Sequence, residues 1–221
     1  MYDDVASAVE YAHNVLKTSP DVKEYLKRRG ISKETIVDFK LGFVPVNGPV
    51  HLQRFSNRLI FPIADPYGRY VGWTARTITD MEPKYLNTHD MPIFKKGRLL
   101  YNYDKAKSII QEKGWVVLVE GQFDALRLYQ EGIKNVVASS STAFKPAMAR
   151  LISRYADRVY IAYDGDSAGR TSTEKVEVLL TSMGVQAINV KLPDKEDPDT
   201  FVLTQGIDAF KKLMKGARGR I

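Results

Sequence analysis

The chain has 221 residues, 44% of them hydrophobic and 27% charged, the balance of an ordinary globular protein long enough for one large or two small domains. It contains no cysteine, which excludes disulfides and any cysteine-based zinc ribbon in these residues, and no apolar run approaches the roughly 20 residues needed to cross a bilayer. Thirty-three Lys and Arg against 26 Asp and Glu leave a net charge of +7, which fits either a phosphate-bearing partner or a basic surface serving solubility.

The start, "MYDDVASAVEYAHNV", is acidic and amphipathic, unlike a secretory signal, so a cytoplasmic location without membrane contact is expected. Residues 1–42 form a predicted helical segment: "DVASAVEYAHNVLKTS" and "PDVKEYLKRRG" carry apolar residues at helical spacing, and Ser32 is a candidate N-cap for "SKETIVDFKLG". In "RLIFPIADPYGRYVGWTART" two predicted strands flank a turn at Asp65-Pro66-Tyr67-Gly68. A lysine-rich loop, "EPKYLNTHDMPIFKKGRLLYNY", precedes a short predicted helix over 104–113, and residues 43–113 read as a basic α+β subdomain.

From Gly114 the pattern becomes strand–helix alternation: "WVVLVEG", "NVVASSS", "RVYIAYDGD" and "QAINVKLP" as strands, each followed by a helical stretch. The predicted fold class is α/β, with a parallel sheet over 114–195 flanked by helices. An acidic turn, "DKEDPD", one terminal helix and a mobile tail "KGARGRI" complete the expectation for 196–221.

On this map the acids gather in one kind of place. Glu120 ends the first of these strands, Asp164 and Asp166 end the third, and Asp197 and Asp199 lie in the turn after the fourth. Ligands of open parallel sheets bind beyond the carboxyl ends of the strands. Gly165 is expected to let the backbone bend so that Asp164 and Asp166 converge. Carboxylates brought to one edge repel each other unless a hard cation sits among them, and an all-oxygen donor set suits Mg²⁺ or Mn²⁺ better than zinc. Each acid also has a local explanation: Glu120 beside a helix N-cap, Asp164 as a cap, Asp199 capping the final helix. Three acidic motifs at three strand ends of one sheet are poorly explained by coincidence.

"LVEGQFDAL" followed by "AYDGDSAGR" resembles the Toprim domain of bacterial DnaG-type primases, topoisomerases and related nucleases, and "EDPDT" fits the primase version of the third acidic motif. Upstream, "RLIFPIADPYGRYVGWTAR", "PKYLNT" and "IFKKGRLLYN" are similar to the N-terminal part of the DnaG polymerase core, and "YLKRRGISKETIVDFKLGFVP" to the segment leading into it. The motifs occur in the family's order over nearly the whole chain. Two features depart from the family. The second Toprim strand ends "ASSSTAF" where a glycine is usual near Ser141. The zinc-binding and helicase-binding domains lie outside these residues, so either a piece of a longer protein or a shortened form, such as the primase half of a phage-type primase–helicase, is expected.

The resemblance implies a DNA primase catalytic core, making short RNA primers on single-stranded DNA from ribonucleoside triphosphates by nucleotidyl transfer. It implies one or two Mg²⁺ or Mn²⁺ held by Glu120, Asp164, Asp166, Asp197 and Asp199, no zinc, and a replicative helicase engaged through or near a region not included. Arg58, Arg76, Lys84, Tyr85, Asn87, Lys96 and Arg98 match the family's nucleotide- and DNA-binding positions. Glu120, Asp164, Asp166, Lys84 and Lys96 are the implied catalytic set. Alignment to "KGR" favours Lys96 over Lys95. Asp124 matches a further acidic position, although a first-turn aspartate is equally explained by the helix dipole. A Toprim nuclease and a non-catalytic DNA-binding module are the rival readings.

Overall fold

The computed structural model describes residues 1–140 and 143–218. The chain divides into two compact units, Met1–Lys95 and Lys96–Ile221. The sequence-drawn segments fall differently. Residues 1–42 share a unit with the antiparallel sheet, because their helices supply the cover for one of its faces, and the helix before the parallel sheet belongs to the second unit.

In the first unit three helices, α1 (Tyr2–Thr18), α2 (Pro20–Arg28) and α3 (Lys33–Asp38), precede the strands. Helix α1 buries Val5, Ala8, Val9, Ala12 and Leu16, an i, i+3, i+4 stripe, and Ser32 caps α3 by accepting from the Thr35 N–H at 3.1 Å. The sheet runs β1 (Gly42–Val44), β2 (Arg58–Ala64), β3 (Tyr70–Thr77), β4 (Tyr85–Asn87), all antiparallel. The predicted hairpin is β2–β3. Its turn is fixed by Asp65, which accepts from the N–H groups of Tyr67 at 2.9 Å and Arg69 at 3.1 Å and pairs with the Arg69 guanidinium. The short outer strands β1 and β4 carry too few residues to show a period of two, and sequence reading missed both. Stripe residues of α1 pack on Val44, Ile60, Ala75 and Trp73, with Phe55 edge-on to Trp73 at 5.3 Å. At Gly42 a β-carbon would lie 2.6 Å from that of Ala12, so glycine is what lets β1 reach α1.

The second unit opens with a 3₁₀ turn at Lys96–Arg98 and α4 (Tyr103–Lys113). It then alternates β5 (Trp115–Val119), α5 (Gln122–Gln130), β6 (Val136–Ala138), α6 (Pro146–Ile152), β7 (Arg158–Ala162), α7 (Ser167–Thr181) and β8 (Gln186–Asn189). The four strands are parallel, in the order β6-β5-β7-β8. Val116, Leu118, Val159 and Ile161 alternate onto one face and join Ile110, Ile152 and Leu180 in the core, as a sheet covered on both sides requires. The single terminal helix expected is two, α8 (Pro198–Gln205) and α9 (Ile207–Arg218), broken at Gly206, whose φ of 81° ends α8. The first residues of the expected tail are helical. Residues 219–221, and Ser141 with its missing glycine, lie outside the described residues.

Candidate active site

The acidic edge is assembled by helix starts. Glu120 follows β5 directly and is half-buried; burial and then the nearby Asp166 charge raise its pKa above the usual glutamate value. Asp124, in the first turn of α5, reaches back to accept from the Gly121 N–H at 2.9 Å. Its other oxygen accepts from the Asp199 N–H at 3.2 Å. Burial pushes its carboxyl well above the ordinary aspartate value, and Asp197 and Asp164 push the same way. The dipole explanation for Asp124 therefore covers only half of what it does. The residue also ties the first acidic motif to the third.

Asp166 is the N-cap of α7, accepting from the Gly169 N–H at 2.7 Å, and Asp197 is the N-cap of α8, accepting from the Thr200 N–H at 2.6 Å. Capping thus falls on Asp166 and Asp197 rather than on Asp164 and Asp199. Each cap bond occupies one carboxylate oxygen. Asp164, half-buried, sits at the exit of β7.

The chain bends at Gly165 and Asp166, as expected, but without a left-handed φ at Gly165. Its role is close approach. A β-carbon there would collide with the carbonyl oxygen of Pro193, and the Gly165 N–H donates to Glu196 O at 2.8 Å. Gly169 is constrained in the same way, by the backbone of Asp164. The second acidic motif is laid directly on the third, which no other residue at 165 would permit.

Asp199 is a correction in role. It is 3% exposed, and its Oδ1 accepts from Arg127 Nε at 2.9 Å in a buried ion pair. Its carboxylate is committed first to α5. Sequence reading missed Arg127; the available signal was an arginine inside the largely apolar run "DALRLY" of α5, and both its chain neighbours, Leu126 and Leu128, are buried.

Glu120, Asp124, Asp164, Asp166, Asp197 and Asp199 therefore belong to one edge, coupled electrostatically and joined by backbone hydrogen bonds. Among the described residues no three His, Cys, Asp or Glu side chains are already drawn together as a metal cage. The all-oxygen donor set, with like charges raising the pKa of Glu120 and Asp124, is nonetheless chemically suited to a hard divalent cation.

The basic positions divide between the units. In the first, Arg58 is 2% exposed and its Nη1 donates to the carbonyls of Pro83 at 2.7 Å and Lys84 at 3.3 Å. It braces the loop that carries Lys84 rather than offering a surface guanidinium. Arg76 lies between two tyrosine rings, 5.7 Å from the centre of Tyr25 and 5.8 Å from that of Tyr85. Asn87 accepts from Thr74 Oγ1 at 2.8 Å, and Lys84 is exposed. Arg58 and Arg76 are on paired strands with Tyr85 beside Arg76, so the sheet brings these positions together. In the second unit Lys96 is half-buried with its pKa lowered by burial, and Arg98 is exposed. Lys95 instead makes a surface pair with Asp90 at 3.7 Å, a further reason to prefer Lys96.

A parallel sheet in this order, with acidic residues beyond three of its strand ends, defines a Toprim-like domain, and residues 117–202 match the Toprim-like family. Residues 46–107 match the family of the DNA primase catalytic core, N-terminal domain. The chain is 37% identical to the DNA primase of Aquifex aeolicus over 234 residues, covering 94% of this chain and 47% of that protein. The solved Aquifex aeolicus primase (zinc-binding and RNA polymerase domains) superposes with a TM-score of 0.91 at 34% identity, covering 97% of this chain and 60% of that one. A DnaG primase catalytic domain bound to single-stranded DNA superposes at 0.85 with 32% identity, covering 97% of this chain and 80% of that one. The chain belongs to the DnaG-type DNA primase family, within which it corresponds to the catalytic core. It spans about a third to a half of the length of the curated relatives it matches.

Proposed function

We propose that the chain is the RNA-synthesising core of a DNA primase, joining ribonucleotides on a single-stranded DNA template. The observation that carries this reading is the fastening of three acidic motifs into one edge by the Asp124–Asp199 and Gly165–Glu196 hydrogen bonds. The single-stranded DNA held by a related catalytic domain supports the template.

One or two Mg²⁺ or Mn²⁺ ions, when bound by Glu120, Asp164, Asp166 and Asp197, would lower the cost of forming an alkoxide nucleophile and of releasing pyrophosphate. Asp199 and Asp124 are positioning residues, holding the third motif against the first through Arg127 and Gly121. Glu120, whose pKa is raised by burial, is suited to accept the proton of the attacking 3′-hydroxyl on its carboxylate as well as to hold metal. In the first unit Lys84, Arg76 and Tyr85 supply cations and a ring suited to phosphates, with Arg58 and Asn87 fixing the strands that present them; in the second unit Lys96 and Arg98 supply cations of their own. Engagement of a replicative helicase is assigned to regions outside these residues.

The test is primer synthesis on single-stranded DNA with labelled ribonucleotides, comparing the chain with Asp164→Asn. Short RNA products that need Mg²⁺ or Mn²⁺ and vanish in the variant are expected. Product at near-native level in the variant, or DNA cutting without nucleotides in place of synthesis, would overturn the reading.

A further inference from the structure

Lys145 is exposed and stands at the N-cap of α6, far along the chain from the basic positions of the second unit. Its side chain nevertheless lies against them. A β-carbon on Gly97 would meet its Cδ at 2.7 Å, its Nζ at 3.0 Å and its Cε at 3.2 Å. The lysine stem therefore crosses the one residue of the Lys96–Arg98 turn that has no side chain, and its ammonium lies on that turn. Glycine at 97 is what allows the approach. A turn that already carries Lys96 and Arg98 thus receives a third cation, and gathering like charges is unfavourable until an anion joins them.

The same turn is tied to the carboxyl edge of the parallel sheet. Just after Arg98, Tyr101 bridges to Ala138, the last residue of β6: the Tyr101 N–H donates to Ala138 O at 2.9 Å and the Ala138 N–H to Tyr101 O at 3.1 Å. Ala138 is in register with Val119 of β5, and Glu120 follows Val119. On the other side, Ala143 and Phe144, which lead into Lys145, line a cavity of about 180 Å³ together with Glu120. The acidic edge and the three cations are therefore neighbours within one unit. Carboxylates repel a phosphate that approaches them, so cations beside the acids are needed to receive it.

We propose that Lys145 is a further phosphate-binding residue, acting with Lys96 and Arg98 to hold a nucleotide phosphate beside Glu120. The inference rests on reading this edge as the site of RNA synthesis. The phosphate belongs either to an incoming triphosphate or to the template backbone, and both offer the same oxygens to an ammonium. An exposed lysine suits this work: its flexible stem lets the charge follow a ligand that must enter and leave, while Gly97 holds its resting place on the turn.

The test measures binding apart from turnover, so that a failure here and a failure of RNA synthesis are told apart: Asp164→Asn judges synthesis, and two titrations judge Lys145. ATP is titrated by calorimetry in Mg²⁺, and a labelled single-stranded oligonucleotide by fluorescence anisotropy in EDTA over a range of salt. Lys145→Ala should weaken at least one of the two ligands at least about threefold and Lys145→Glu at least about tenfold, whereas Lys145→Arg should stay within about twofold of the native chain. Loss of ATP affinity identifies the triphosphate as the source. Loss of oligonucleotide affinity, with the slope of log affinity on log salt reduced by about 0.7, identifies a template phosphate. Gly97→Ala should push the stem aside and weaken the same ligand, yet add nothing in the Lys145→Ala background. Native binding of both ligands by Lys145→Ala overturns the proposal. So does an arginine variant as weak as the alanine one, or losses at Gly97 and Lys145 that simply add.

Discussion

Arg127→Met tests whether the third acidic motif is held in place by the buried ion pair. The two side chains are 3% and 4% exposed with Nε and Oδ1 2.9 Å apart, so the substitution leaves the Asp199 carboxylate uncompensated in a dry site. Removing one partner of a buried pair costs about 3–5 kcal/mol. Equilibrium urea unfolding measures it: in a Trp73→Phe background, Trp115 is the remaining tryptophan and follows the second unit. With a urea slope of about 2–3 kcal/mol per molar, the midpoint should fall by about 1–2.5 M with the slope unchanged. Adding Asp199→Asn to Arg127→Met should recover at least about 2 kcal/mol, because the stranded charge is gone. A midpoint shift below about 0.3 M, or no recovery in the double variant, would refute the clasp.

Asp166→Asn should keep the α7 cap and stay within about 0.5 kcal/mol of native stability while abolishing primer synthesis; Asp166→Ala should lose activity and also about 1 kcal/mol, both read by urea unfolding. Gly165→Ala should destabilise by about 1–3 kcal/mol and depress synthesis, since its β-carbon must displace the Pro193 backbone; native-like activity and midpoint would show that the two loops are not stacked. For Glu120 the sign follows from its raised pKa. The folded chain keeps this proton to higher pH than the unfolded chain, so its contribution to stability declines as pH rises from the ordinary glutamate value through the raised one. In EDTA, Glu120→Gln should therefore gain stability relative to the native chain between pH 4 and pH 8, with the difference levelling off above the raised value; a pH-independent difference would contradict the shift.

The parallel half of the fold was legible because its strands are continuous apolar runs and the helices between them are long enough to show a period. The outer strands β1 and β4 were not, having three residues each, and their pairing is fixed by β2 and β3 rather than by their own pattern. Gly206 looked like one residue inside a helix, yet its positive φ separates α8 from α9. In the site, residue types and spacing located the acidic edge but could not apportion its work. Which aspartate caps a helix depends on where the backbone leaves the strand, and Asp166 and Asp197 win that position over Asp164 and Asp199. Arg58 read as a phosphate ligand because sequence carries no information on its burial; the structure spends it on two carbonyls.

These reassignments share one physical cause. An edge that must present several carboxylates at once is electrostatically unfavourable, and the fold offsets this locally before any cation arrives. Two of the acids are neutralised in part by helix N-termini, through the Gly169 and Thr200 N–H groups. A third is paired with Arg127, and a fourth, Asp124, is buried, its pKa raised by that burial, and accepts from two backbone N–H groups. Glu120 is left half-buried, with burial and the Asp166 charge opposing its ionisation. If that division is right, charge-removing substitutions should part into two groups. Glu120→Gln should raise metal-free stability and abolish synthesis together, whereas Asp199→Asn should lower stability by stranding Arg127. A cation then has most to gain beside Glu120, whose charge burial and Asp166 both oppose.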